Sequence, residues 1–123
     1  TLSFGEVLGE AFVGLAPGSA LQDHIDEHAR VAGQPLDLRV RMHSFEALCQ
    51  MVGHGIGLGI LPQAIARLHR RRHGLKVIAL NDAWARRELC LCFRNWHRLS
   101  MPMRSLFEHL GGVPEAPGGA TDR

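Results

Sequence analysis

Residues 44–62 read Ser-Phe-Glu-Ala-Leu-Cys-Gln-Met-Val-Gly-His-Gly-Ile-Gly-Leu-Gly-Ile-Leu-Pro, and no other stretch says as much about the architecture. Ser44 is a polar cap that opens a short helix, and Gly53 and Gly55 end it. Residues 56–61 form an apolar run with Gly57 and Gly59 inside it. Pro62 stops the run and starts the next helix. Helix, tight turn, buried strand and helix in immediate succession are the wiring of a doubly wound α/β sheet, which binds ligands at its strand ends.

The flanking segments extend that pattern. Residues 38–43 alternate strictly, with Leu38, Val40 and Met42 facing one way and Arg39, Arg41 and His43 the other, which predicts a strand near the sheet edge. Residues 11–16, Ala-Phe-Val-Gly-Leu-Ala, read as a short buried strand. Pro17-Gly18 then signals a turn, and Ser19 caps a helix over residues 20–32 whose apolar face is Leu21, Ile25 and Ala29. Gly33 and Pro35 end it. Residues 3–9 predict one or two helical turns capped by Ser3.

Downstream of Pro62 a helix is expected over residues 63–72, buried through Ala64, Ile65 and Leu68. Strands are expected at 76–80 and 88–94, and a last helix from Pro102 carries Met103, Leu106, Phe107 and Leu110. The order is α-βαβαβα-β-β-α, an α/β class with a parallel sheet and right-handed crossovers. Residues 111–123 hold four glycines and two prolines and are expected to be a disordered tail.

Composition narrows the function. The chain has 123 residues and no uninterrupted apolar segment long enough to span a membrane. Three cysteines, Cys49, Cys90 and Cys92, are an odd set without a secretion signal, which points to reduced thiols and a cytoplasmic location. Thr1 is not Met, which leaves room for an upstream start. The net charge of +2 hides a split: residues 1–66 sum to −4, residues 67–104 to +8 and residues 105–123 to −2.

In a parallel sheet the strand C-termini and the following helix N-termini share one edge. Pro17-Gly18-Ser19, His43-Ser44-Phe45 and Leu61-Pro62 all fall there, offering free N–H groups and two hydroxyls to a small anion or polar metabolite. Gly55-Ile-Gly-Leu-Gly59 is no dinucleotide fingerprint, because its glycines follow a helix and lie inside the strand, where they serve close packing. His24/His28 and His69/His73 have zinc-compatible i,i+4 spacing but no third ligand nearby, so no metal and no cofactor is expected. Cys90 and Cys92 read as buried and inert. The run His69-Arg-Arg-Arg-His73 suits the negative end of a helix, and no aromatic or recognition-helix pattern joins it to suggest nucleic acid. No nucleophile elbow or carboxylate pair appears, and His43 alone is a weak base candidate, so no catalytic residue is assigned.

Phe12-Val-Gly-Leu, Gly18-Ser-Ala-Leu, Arg39-Val-Arg, Ser44-Phe-Glu-Ala-Leu-Cys-Gln-Met-Val, Gly55-Ile-Gly-Leu-Gly-Ile-Leu-Pro and Asp82-Ala-Trp-Ala-Arg-Arg-Glu-Leu-Cys-Leu together resemble the effector-binding region of LysR-type bacterial transcriptional regulators. The resemblance implies a type 2 periplasmic-binding-protein-like fold, two α/β lobes with a small-molecule effector in the cleft between them. By that likeness residues 1–110 are the C-terminal portion of the domain: 11–80 most of the second lobe, and 88–110 the strand and helix returning to the first. The winged helix-turn-helix and most of the first lobe are expected to be missing, so DNA contact belongs to the full-length protein alone, as does assembly into a homo-oligomer, dimer or tetramer. Without partner strands, residues 88–94 are expected to leave Leu89, Leu91 and Phe93 exposed. The competing expectation is one lobe of a type 2 solute-binding transport protein.

Overall fold

The computed structural model describes residues 1–88 and 91–111, and divides after Arg86 into two compact units. Unit 1 opens with α1, Phe4–Val7, where the Glu6 carboxylate reaches back to the Ser3 N–H at 2.6 Å and the Ser3 hydroxyl at 2.9 Å. It continues through β1 (Ala11–Leu15), α2 (Ala20–Val31), β2 (Asp37–Met42), α3 (Phe45–Gly53) and α4 (Gln63–His69). A 3₁₀ turn follows at Ala83–Ala85.

β1 and β2 pair in parallel from Ala11↔Asp37 to Leu15↔Met42, with a register shift between Phe12 and Val13. The burial of the two strands separates their roles. β1 is buried at four successive residues, as a central strand covered on both faces must be, whereas β2 alternates exposed and half-buried. The two faces of β1 meet different helices. Val13 and Leu15 pack with Leu48 of α3, while a Cβ on Gly14 would come within 2.9 Å of the Gln22 side chain on α2. Helices on opposite faces follow from right-handed crossovers that run out from β1 to β2 and then back across β1. A second cluster joins Phe4 and Leu8 to Ile25 and Ala29, with Trp84 packed against it. Burying one side chain such as Leu48, 1% exposed, contributes roughly 1.5–3 kcal/mol.

Residues 56–61 do lie parallel to β1, but they meet it through the single bridge Phe12↔Leu58 rather than as the expected strand. The Val13 N–H donates to the Leu58 carbonyl and the Leu58 N–H to the Ala11 carbonyl, each at 2.8 Å. The reason lies one pleat further on. The Leu15 N–H points to the same side as that of Val13, and it donates not to this segment but to the Gln22 side-chain carbonyl at 2.8 Å. A glutamine from α2 thus occupies the place of the next ladder bond. The glycines behave as expected: a Cβ on Gly57 would lie 2.6 Å from the Ala11 carbonyl oxygen, and one on Gly59 2.6 Å from Leu48. Gly55, at φ +78°, closes α3, with the Ile56 N–H returning to the Met51 carbonyl.

Further elements differ from the sequence reading. Residues 76–80 form no strand; Leu80 makes one parallel bridge, and its partner is Leu2. α4 buries Ala66, with Ile65 and His69 half-buried, while Ala64 is exposed and Leu68 is 74% exposed. The small Ala66 lets the helix sit close to its neighbours, and the larger Leu68 falls on the outer side.

In unit 2, the expected strand at 88–94 is not formed at Glu88 or at residues 91–94, and its Leu89 and Cys90 lie outside the described residues. Leu91 and Phe93 are exposed, as anticipated for that segment. α5 spans Met101–His109, and Phe107 meets Phe93 and Trp96 at ring-centroid distances of 5.2 Å. Arg104 donates to the His97 carbonyl at 2.7 Å. Met101, Met103, Leu106 and Leu110 are exposed. The tail expected to be disordered is described only at Gly111; residues 112–123 lie outside.

Candidate functional site

The parallel register brings the first two candidate turns to one edge of the sheet. Leu15 and Met42 are partners at the ends of β1 and β2, and the Ala16 N–H donates to the Met42 carbonyl at 2.9 Å. Pro17-Gly18-Ser19 and His43-Ser44-Phe45 leave from this point. Leu61-Pro62 heads the same way, because its segment runs parallel to β1, and Leu61 packs with Val13, Leu15 and Leu48.

Each residue at this edge has a local structural role. Pro17 and Gly18 form an exposed turn, with Gly18 at φ +88°. Ser19 caps α2, its hydroxyl accepting from the Gln22 N–H at 3.4 Å, and Ser44 caps α3, accepting from the Ala47 N–H at 3.2 Å. Each hydroxyl keeps its own proton for donation outward. Ser44 and His43 are exposed, and Phe45 is half-buried against the α3 cluster. Pro62 is the N-cap of α4 and offers no side-chain hydrogen bond.

Behind this edge stands a polar network invisible to apolar periodicity. Gln22 is only 3% exposed. Its carbonyl takes the Leu15 N–H, and its amide donates to the Asp26 carboxylate at 2.8 Å. Asp26 lies 3.8 Å from the Arg41 guanidinium, which donates to the Leu15 carbonyl at 3.1 Å. Gln22 from α2 and Arg41 from β2 therefore hold both backbone polar groups of the last β1 residue, with Asp26 beside both, just before the Pro17 turn. The available signal was a glutamine three residues before Ile25 and seven before Ala29, on the buried face of α2.

An open groove of about 470 Å³ lies between the C-terminal half of α2 and β2, lined among others by Arg30, Gln34, Leu36 and Leu38 and reaching Asp26 and Arg41 of this network. None of the expected site residues lines it.

The histidine pairs are occupied with aromatic packing. His28 stacks on Trp84 at 4.4 Å with an interplanar angle of 11°, and His24 meets His28 edge-on at 4.6 Å. His69 and His73 stack at 5.7 Å. Among the described residues no group of three or more His, Cys, Asp or Glu side chains is placed to hold a metal ion. Cys49 is fully buried, and desolvation, with the nearby Glu46 charge, pushes its thiol above the usual range. Cys92 is exposed, contrary to the expected burial, because its segment is not in a sheet; Cys90 lies outside the described residues. Among the described residues no helix is long and apolar enough to cross a membrane.

A parallel α/β sheet with its helix starts gathered at one edge defines a ligand-binding class of fold rather than one protein. The family model described as the LysR substrate binding domain matches residues 1–114, and the chain belongs to that family. Membership implies the α/β fold of the type 2 periplasmic-binding-protein class, with which the mixed α/β architecture of unit 1 agrees. No curated protein and no solved structure matches the chain.

Proposed function

We propose that this chain is the effector-binding portion of a LysR-type transcriptional regulator. It binds a small anionic or polar metabolite at the edge made by Pro17-Gly18-Ser19, His43-Ser44-Phe45 and Leu61-Pro62. The observation that carries the reading is the convergence of these turns at the C-terminal edge of a parallel sheet in a chain of this family. Residues 11–80 are then most of one lobe, and residues 88–110 the passage toward the other. The effector lies between lobes and favours the conformation in which it is more fully enclosed. That preference alters how the oligomeric, cytoplasmic regulator holds its operator through a separate DNA-binding domain. Nothing is chemically transformed, so no catalytic residue or cofactor is invoked.

The test is a thermal-shift screen of small carboxylates, amino acids and sugar phosphates on the complete regulator, followed by calorimetry on His43→Ala and Ser44→Ala. The reading expects a stabilising ligand whose affinity falls about tenfold or more in one of these variants, the cost of one charge-assisted hydrogen bond. Ligands that bind equally well to both variants, or turnover of any of them, would count against it. A secretion leader in place of a winged helix-turn-helix upstream of Thr1 would favour a transport lobe instead.

A further inference from the structure

The basic run at the end of α4 presents an unusually one-signed face. Residues 63–81 contain Arg67, Arg70, Arg71, Arg72 and Lys76 and no carboxylate. Helical hydrogen bonding continues past α4, since the His73 N–H donates to the His69 carbonyl at 3.1 Å and Arg70 keeps helical angles. Positions 67, 70 and 71 therefore share one face, as residues i, i+3 and i+4 do. All three are exposed, and that face lies away from the covered Ile65, Ala66 and His69. Arg72 points elsewhere and is bonded to the Glu46 carboxylate of α3 at 2.7 Å. The favourable effect of the helix dipole falls off within the last turn. Arg67 lies in the last turn of α4 and joins the other two in a single-sign stripe.

We infer that Arg67, Arg70 and Arg71 form a contact surface for the phosphodiester backbone of duplex DNA, separate from the effector edge and independent of base sequence. Arginine rather than lysine makes up the stripe, and the planar guanidinium matches phosphate oxygens in a bidentate way. No Phe, Trp or Tyr occurs among residues 63–81, so the surface lacks the stacking platform that single strands require. Contacts from such a face to phosphate oxygens position a protein on the duplex and carry no sequence information. In an assembled regulator such a stripe would hold DNA flanking the recognised site.

Fluorescence anisotropy of the 123-residue chain with a labelled duplex of about 20 base pairs tests this across the range of about 20–200 mM salt. Three phosphate contacts give a slope near −2.7 in log affinity against log salt, a loss of about 40-fold between 50 and 200 mM. The triple variant Arg67→Gln, Arg70→Gln, Arg71→Gln should lose about 2–3 units of that slope, and Arg70→Gln alone about 1. The triple variant Arg30→Gln, Arg39→Gln, Arg98→Gln, equal in net charge, should keep it. Circular dichroism verifies folding, and the single variant carries the test if the triple one unfolds. No binding at the lowest salt overturns the inference, as do equal losses in both triple variants or tighter binding of a single strand. Stronger, stripe-dependent binding to polyglutamate or to anionic phospholipid vesicles would also overturn it, assigning the surface to an acidic protein or a membrane.

Discussion

Gln22 is where the packing of unit 1 is most exposed to a single test. Gln22→Leu keeps the side-chain volume near that of the original but removes the acceptor that holds the Leu15 N–H at 2.8 Å. The donor sits on a residue that is 7% exposed, so water reaches it poorly. Leaving a buried N–H unsatisfied costs about 1–3 kcal/mol. Asp26, which also loses its bond from Gln22, is half-exposed and regains a partner from solvent, so it adds little. A loss of about 2 kcal/mol corresponds to roughly 8–16 °C in Tm for a unit of this size. Urea unfolding followed by far-ultraviolet circular dichroism reads it as a fall in midpoint with an unchanged slope. Gln22→Glu sharpens the assignment. It retains an acceptor for Leu15 but sets a second carboxylate against Asp26, and the repulsion between the two opposes folding. The penalty should therefore be present at neutral pH and shrink as the pH falls below about 5. If Gln22→Leu lies within about 0.5 kcal/mol of the parent, Leu15 has another partner, and residues 58–61 pair with β1 as a full strand after all.

Other expectations follow from single contacts. Gly57→Ala should cost about 1–3 kcal/mol, because its Cβ would sit 2.6 Å from the Ala11 carbonyl oxygen and push residues 56–61 off β1; amide exchange at Val13 and Leu58 should accelerate. The bonds from Ser3 lower the Glu6 carboxyl below its ordinary value. Its contribution is thus present above the unfolded-state value and lost as pH falls through the folded one, so Glu6→Gln should be less stable than the parent at neutral pH and equal to it in acid. Cys49 in a Cys90→Ser, Cys92→Ser background should stay unreactive toward a thiol reagent until urea unfolds unit 1.

What was legible in the chain was its apolar geometry. The unbroken run in β1, the alternation in β2 and the serine caps at Ser19 and Ser44 each impose one local structure and were readable directly. The third strand was not, because its shortening depends on the Gln22 side chain seven residues beyond Leu15, a polar substitution for a ladder bond that periodicity cannot register. Residues 76–80 carry a strand-like composition, but Leu80 bridges only to Leu2, so their state depends on a partner 78 positions away. For the edge residues, the register that gathers the turns was readable in advance.

Hydrogen–deuterium exchange on the complete regulator, with and without a stabilising ligand from the thermal-shift screen, tests the central claim most directly. Protection gathered at residues 16–20, 43–47 and 61–66 is the predicted result, because those segments leave the same edge of the sheet. Protection centred on residues 30–41, where the groove between α2 and β2 lies, with the three turns unchanged, would contradict it.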